Sequence, residues 1–109
     1  MRMWMVDPKS LCRNHLLGEH RELHAIWNII SLNKKGYSNH PETKRWKGKL
    51  KALYNRHEKL VTEMEKRGYN HNSPLDIDLA VGKEIQDEYV DSIDVQIKIL
   101  KNKMCKCKL

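Results

Sequence analysis

A chain of 109 residues with 39% hydrophobic side chains is one small domain with one modest core. Its 21 lysines and arginines against 14 acidic residues give a formal charge of +7, which points to a polyanionic partner, nucleic acid first. No apolar run approaches the roughly 20 residues that cross a bilayer, the N-terminus lacks the apolar stretch of a secretion signal, and three cysteines argue for a reducing compartment over a disulfide framework.

Three helical patterns follow in chain order. The first opens at Asp7-Pro8, an N-cap acceptor with proline at the first helical position. Leu16, Leu23, Ile26, Trp27 and Ile30 then recur at helical spacing, with Leu11 one turn earlier. The second opens at His40-Pro41. Its Trp46, Leu50, Leu53, His57, Leu60 and Met64 alternate in steps of four and three, a narrow seam for one partner. Lys66-Arg67-Gly68 closes it, basic residues in the last turn and glycine just beyond. A short turn starts at Ser73-Pro74, and Gly82 separates it from a third helix expected over 83–103, with Ile85, Tyr89, Ile93, Ile97, Leu100 and Met104 on one face. No strand-like alternation competes, so the pattern predicts an all-α, compact single domain over 1–109 with three main helices. Charge is uneven along it: residues 1–71 carry 15 basic and 7 acidic side chains, 72–97 carry 1 and 7, and 98–109 carry 5 and none. A polyanion would meet the body or the basic tail (98–109, expected to fray), not the acidic middle.

The densest polar cluster is His15, Glu19, His20, Arg21, Glu22 and His24. His15, Glu19 and Glu22, four and three apart, line one face of the first helix. Gly18 shares that lane at a cost of about 1 kcal/mol against alanine, a signal that a segment or ligand approaches the backbone. A solvent-facing charged lane with incidental histidines explains the same residues. His20 and His24, at i and i+4, can meet on one zinc ion. A metal-dependent hydrolase is therefore one alternative, but Arg21 stands where a zincin needs glutamate and no third ligand is fixed, so no metal is expected. Lys44, Lys47 and Lys51 recur at three and four residues, with Arg45 and Lys49 beside them. The row either follows a phosphate backbone or is a solvated face. Trp46 is expected in the core, Cys12 as a small packing residue, and Cys105 and Cys107 as thiols on the tail.

The run His15-Leu16-Leu17-Gly18-Glu19-His20-Arg21-Glu22-Leu23 resembles the first-helix signature of the pyrimidine-dimer DNA glycosylase family, the bacteriophage endonuclease V type. Lys66-Arg67-Gly68-Tyr69-Asn70 matches the close of that family's second long helix. Met1-Arg2-Met3-Trp4 and Gly36-Tyr37-Ser38-Asn39-His40-Pro41 resemble its short bacterial and phage members, for a coverage of roughly residues 1–75. The resemblance implies an all-α fold whose N-terminus threads between helices to the active site. It also implies DNA glycosylase activity with an abasic-site lyase step, the nucleophile being the terminal α-amine, whose ordinary pKa of about 7.7–8.0 leaves it partly neutral at pH 7. Arg2 is bulky enough that Met1 is expected to be retained and to supply that amine. The family's catalytic glutamate maps onto Glu22, its DNA-gripping arginine onto Arg21, and its histidine near the reacting sugar onto His15.

The sequence departs from the family at Ala25, where an arginine is usual, with His24 beside it as a possible substitute. In place of the aromatic, basic C-terminal segment stands Ile97–Leu109 with five lysines. The expectation is a cytoplasmic monomer of a bacterial or phage-infected cell acting on double-stranded DNA, without cofactor. Its catalytic residues are Met1 and Glu22, and its DNA contacts are Arg2, His15, Arg21, His24, Lys44, Lys47 and Lys51. A non-catalytic helical DNA-binding or interaction protein on the same scaffold is the alternative.

Overall fold

The computed structural model describes residues 3–36, 39–71, 74–103 and 107–108. Among them the secondary structure is helical, with no strands: α1 spans Arg13–Ser31, α2 Pro41–Lys44, α3 Leu50–Lys66 and α4 Ile93–Asn102. The all-α expectation holds, while three boundaries move for identifiable reasons. Asp7 does cap, accepting the Lys9 amide at 3.0 Å, but it caps a 3-10 turn, Pro8–Ser10. Leu11 leaves that turn extended, buries its side chain, and α1 begins only at Arg13.

The second predicted helix is two. His40 Nδ1 accepts the Glu42 amide and starts α2 as expected, yet Gly48 (φ +76) lies in left-handed space and Lys49 leaves helical geometry. The break turns Lys49 inward and ends the continuous lysine row. Gly68, at φ +78, lies just beyond the Arg67 C-cap of α3, where the sequence put the stop.

The third predicted helix loses its first half. The initial amides of a helix have no intrahelical acceptors, and in α3 two are met from outside. Lys51 N–H donates to Val81 O and Ala52 N–H to Lys83 O, both at 3.0 Å, while Lys83 N–H returns a bond to Gly48 O at 3.0 Å. Held by these bonds, the chain from Val81 to Lys83 does not enter a helix, and Ile85 and Tyr89 stay exposed. α4 waits for Ser92, whose hydroxyl accepts the Val95 amide. Met104 and Ser73 lie outside the described residues.

Gly82 is required at this crossing. Its φ is +88, and a Cβ there would stand 2.1 Å from the Gly48 carbonyl oxygen, a backbone atom that cannot swing away. Gly82→Ala is therefore expected to cost about 1–3 kcal/mol through the left-handed backbone alone, with the clash adding to it. A thermal melt checks this, and an unchanged midpoint would sink it.

The core lies between α1 and α3, which pack chiefly on each other. Leu16, Leu23, Ile26 and Trp27 of α1 meet Leu53, Leu60 and Met64 of α3, together with Trp46 from the preceding turn and Leu100 of α4. Met3, Trp4, Val6 and Leu11 belong to the same cluster, so the N-terminal segment is a core element. Arg67 fastens it to the end of α3. Its Nε donates to Glu63 (2.9 Å) and its Nη2 to the carbonyls of Pro8 (3.2 Å) and Leu11 (2.7 Å). No helix among the described residues is long and apolar enough to cross a membrane.

Candidate active site

The polar lane of α1 divides into residues with different fates. Glu19 is only 1% exposed and points into the core. Its carboxylate accepts the Trp4 amide at 2.8 Å and two donors from Arg56 of α3, Nε at 2.7 Å and Nη2 at 3.1 Å. Arg56 Nη2 also donates to the carbonyl oxygens of Trp4 and of Val6, the latter at 2.9 Å. One buried ion pair thus satisfies the backbone of residues 4–6 as they pass between α1 and α3. Burial raises the Glu19 carboxyl above its ordinary value, while the charge and hydrogen bonds of Arg56 and the Trp4 amide draw it down. Because Arg56 cannot shed its proton, the buried charges compensate only while Glu19 is ionised.

Glu22, one turn further along α1, is half-buried and has no hydrogen bond or ion pair among the described residues. Among the described residues the two glutamates therefore differ: Glu19 is locked in a buried ion pair and Glu22 is not. Arg21 is exposed. Met1 and Arg2, the expected nucleophile and its neighbour, lie outside the described residues, as do Tyr37 and Ser38 of the family-like run from Gly36 to Pro41.

None of the described segments closes on α1 at Gly18, since a Cβ there meets nothing of theirs within 4 Å. Among the described residues the lane beside it is open. Gly18→Ala is expected to raise stability by up to about 1 kcal/mol, the helix-propensity difference, read as a higher midpoint in denaturant. A lower midpoint would show an unrecognised close approach.

His15 packs edge-on to Trp4 at 5.7 Å between ring centroids. Its Nδ1 lies 3.1 Å from Cys12 Sγ and 3.3 Å from Cys107 Sγ, and burial, then Lys103, lowers its pKa. Of the expected tail, Cys107 and Lys108 are described beyond Lys103, and both contact the segment before α1. Cys107 is half-buried against Cys12, whose amide donates to its sulfur, and Lys108 N–H donates to Ser10 O at 2.8 Å. Cys105 lies outside the described residues.

The basic row is dispersed. Lys44 is exposed at the end of α2, Lys47 is exposed in the following turn, and Lys51 is half-buried in α3 with its ammonium 5.7 Å from the Tyr54 ring centroid. Lys49 is withdrawn altogether: it is 4% exposed and its Nζ meets Gln86 Oε1 (2.8 Å), Asp87 (3.2 Å) and Glu88 (3.1 Å). Arg45 is likewise buried, paired with Glu42 and donating to the Glu88 carbonyl. The acidic segment thus folds onto the basic body and neutralises part of it, which a linear partition of charge does not reveal. Trp46 is fully buried, as its place on the seam predicted.

His24 turns away from the lane toward α3. Its Nε2 is 3.1 Å from His57 Nε2 and 3.3 Å from His20 Nε2, and His20 Nε2 is 3.2 Å from His57 Nε2. His71, just after α3, brings a fourth imidazole. Burial, with the neighbouring His24, His57 and His71, holds His20 down at about 4, and burial, with His57 and His71, lowers His24. Sequence reasoning saw His20 and His24 but had no signal for His57, which sits on the apolar seam as a core residue, or for His71.

The profile of the pyrimidine dimer DNA glycosylase family matches residues 1–77 of the chain. The chain belongs to this family of DNA glycosylases. No curated protein and no solved structure matches it.

Proposed function

We propose that this protein is a DNA glycosylase with abasic-site lyase activity on double-stranded DNA, with the α-amine of Met1 as nucleophile and Glu22 as the essential carboxylate. The observation that carries the reading is the burial of Met3 and Trp4 between α1 and α3, with the Trp4 amide fastened to Glu19 three residues before Glu22. Two residues of chain reach at most about 7 Å, so a terminus at Met1 stays near this end of α1.

The neutral amine attacks deoxyribose C1′. An N–C1′ bond forms, the C1′–N bond to the base breaks, and the base leaves with a proton. Glu22 stabilises the cationic sugar and moves the proton. The C1′–O4′ bond then opens, O4′ taking a proton, and the imine so formed acidifies C2′, whose proton is lost as the C3′–O bond breaks and the 3′ phosphate departs. Water then releases the amine. The target nucleotide must first leave the stack, at a cost of a few kcal/mol. The open lane at Gly18, with exposed Arg21 near it, is the surface against which the distorted strand would lie, and exposed Lys44 and Lys47 suit the flanking phosphates.

Borohydride trapping on duplex DNA containing an abasic site tests this directly. A covalent adduct mapped by mass spectrometry to the N-terminal peptide, and lost when the amine is acetylated or extended by extra residues, is the expected result. An adduct on a lysine side chain overturns the nucleophile assignment. Salt-sensitive DNA binding without any adduct overturns catalysis and leaves a DNA-binding protein on the same scaffold.

A further inference from the structure

We infer that His20, His24, His57 and His71 form a structural zinc site that ties α1 to α3 and to the segment following α3. The ligand atoms of the four residues lie within 4.8 Å of one another, and the Nε2 atoms of His20, His24 and His57 form a triangle with sides of 3.1, 3.2 and 3.3 Å. A tetrahedral zinc ion with Zn–N bonds of about 2.0–2.1 Å requires nitrogen atoms roughly 3.3 Å apart. The spacing is that of ligands around an ion.

Hydrogen bonding among the rings cannot account for the triangle. Each Nε2 of a neutral imidazole is either a donor or an acceptor. Of three such atoms facing one another, at least two are alike, so one edge always sets lone pair against lone pair or N–H against N–H. A cation at the centre removes the conflict by accepting all three lone pairs. His57, fully buried, is also oriented for this task. Its Nδ1 is 3.0 Å from the Glu58 carboxylate, which accepts a hydrogen bond from Nδ1–H and so leaves Nε2 as the lone-pair atom. Nε2 of His71 is buried and has no hydrogen-bond partner among the described residues, the state expected of a ligand awaiting its ion. Half-exposure of His20, His24 and His71 leaves an entry path.

Four protein ligands close the shell and leave no position for a reactive water, so the ion is a staple and not a catalyst. Helical geometry at 3.6 residues per turn supports the separation. On α1, His20 and His24 flank one side of the buried stripe Leu16–Leu23–Trp27, and Gly18 and Glu22 flank the other.

Untagged protein stripped with a chelator is the material to test, with its cysteines alkylated so that Cys12 and Cys107 beside His15 cannot contribute. Titration with zinc is expected to bind one equivalent and raise the melting temperature. Cobalt in its place is expected to show the intense visible bands of a tetrahedral ion without thiolate-to-metal charge transfer. Glu58→Gln, an exposed position, is expected to weaken zinc binding about 10-fold. Each of His20→Asn, His24→Asn and His71→Asn is expected to weaken it further and to abolish the thermal shift. No zinc bound by the alkylated protein, or affinity unchanged in His20→Asn and His24→Asn, overturns the site. Unchanged affinity in His71→Asn alone overturns the closed shell. Borohydride trapping by the stripped protein, measured below its melting temperature, is expected to persist, and its loss would overturn the structural role.

Discussion

Replacing Glu22 by glutamine is expected to lower the yield of trapped DNA adduct by about 10²–10⁴-fold, the range that a positioned general acid–base group contributes, while leaving the thermal midpoint within about 0.5 kcal/mol of the parent. The two halves of this expectation belong together. Glu22 is half-buried and no side chain among the described residues depends on its charge, so its removal strands none of them. The amide isostere keeps shape and removes the ability to carry a proton. Single-turnover trapping of the two proteins on the same abasic duplex, alongside their melts, is the measurement. An undiminished adduct would sink the role assigned to Glu22. A diminished adduct accompanied by a large loss of stability would make the effect structural.

Arg56→Met is expected to act in the opposite pattern, costing about 3–5 kcal/mol of stability, because it leaves the Glu19 carboxylate buried without its counter-charge. That is a large share of the roughly 5–15 kcal/mol that holds a domain together. The same substitution removes the donors to the Trp4 and Val6 carbonyls, so the loss should be concentrated in the N-terminal segment. Hydrogen exchange at the Trp4 amide, now bonded to Glu19, is expected to accelerate more than exchange in the middle of α3. Replacing Glu19 and Arg56 together by glutamine and methionine should cost less than the sum of the single changes, since neither charge is then stranded. Additive losses in denaturant melts would show that the two groups do not act as a unit. In the proposed mechanism the pair is a positioning device. It fixes where the chain terminus emerges and never touches the reacting sugar.

Much of the architecture could be read from spacing. The alternation of Trp46, Leu50, Leu53, His57, Leu60 and Met64 marked a buried seam, and all six are buried. Lys66-Arg67-Gly68 marked a helix stop that occurs there. The family-like runs at His15–Leu23 and Lys66–Asn70 lie within the span matched by the family profile. Misreadings arose where a local signal competed with a distant partner. Residues 83–92 carry helical periodicity at Ile85 and Tyr89, yet Val81 and Lys83 supply acceptors to the unpaired amides of α3, and Gln86 is buried across from Lys49. Lys49 and Lys51 look alike in sequence. One is buried in an acidic cradle formed by residues almost forty positions away.

By itself, the sequence determined the helical class, the two apolar faces that make the core, the family, and the nine-residue run on α1 from which a carboxylate mechanism can be argued. These rest on interactions within one or two helical turns, where identity and spacing suffice. Only the tertiary structure decided which glutamate is locked in a buried ion pair. Glu19 and Glu22 are chemically identical, and what separates them is Arg56 and the Trp4 amide arriving from 37 positions ahead and 15 behind. It likewise brought His57 and His71 to His20 and His24, turning an i, i+4 pair with no visible third ligand into four imidazoles around one point.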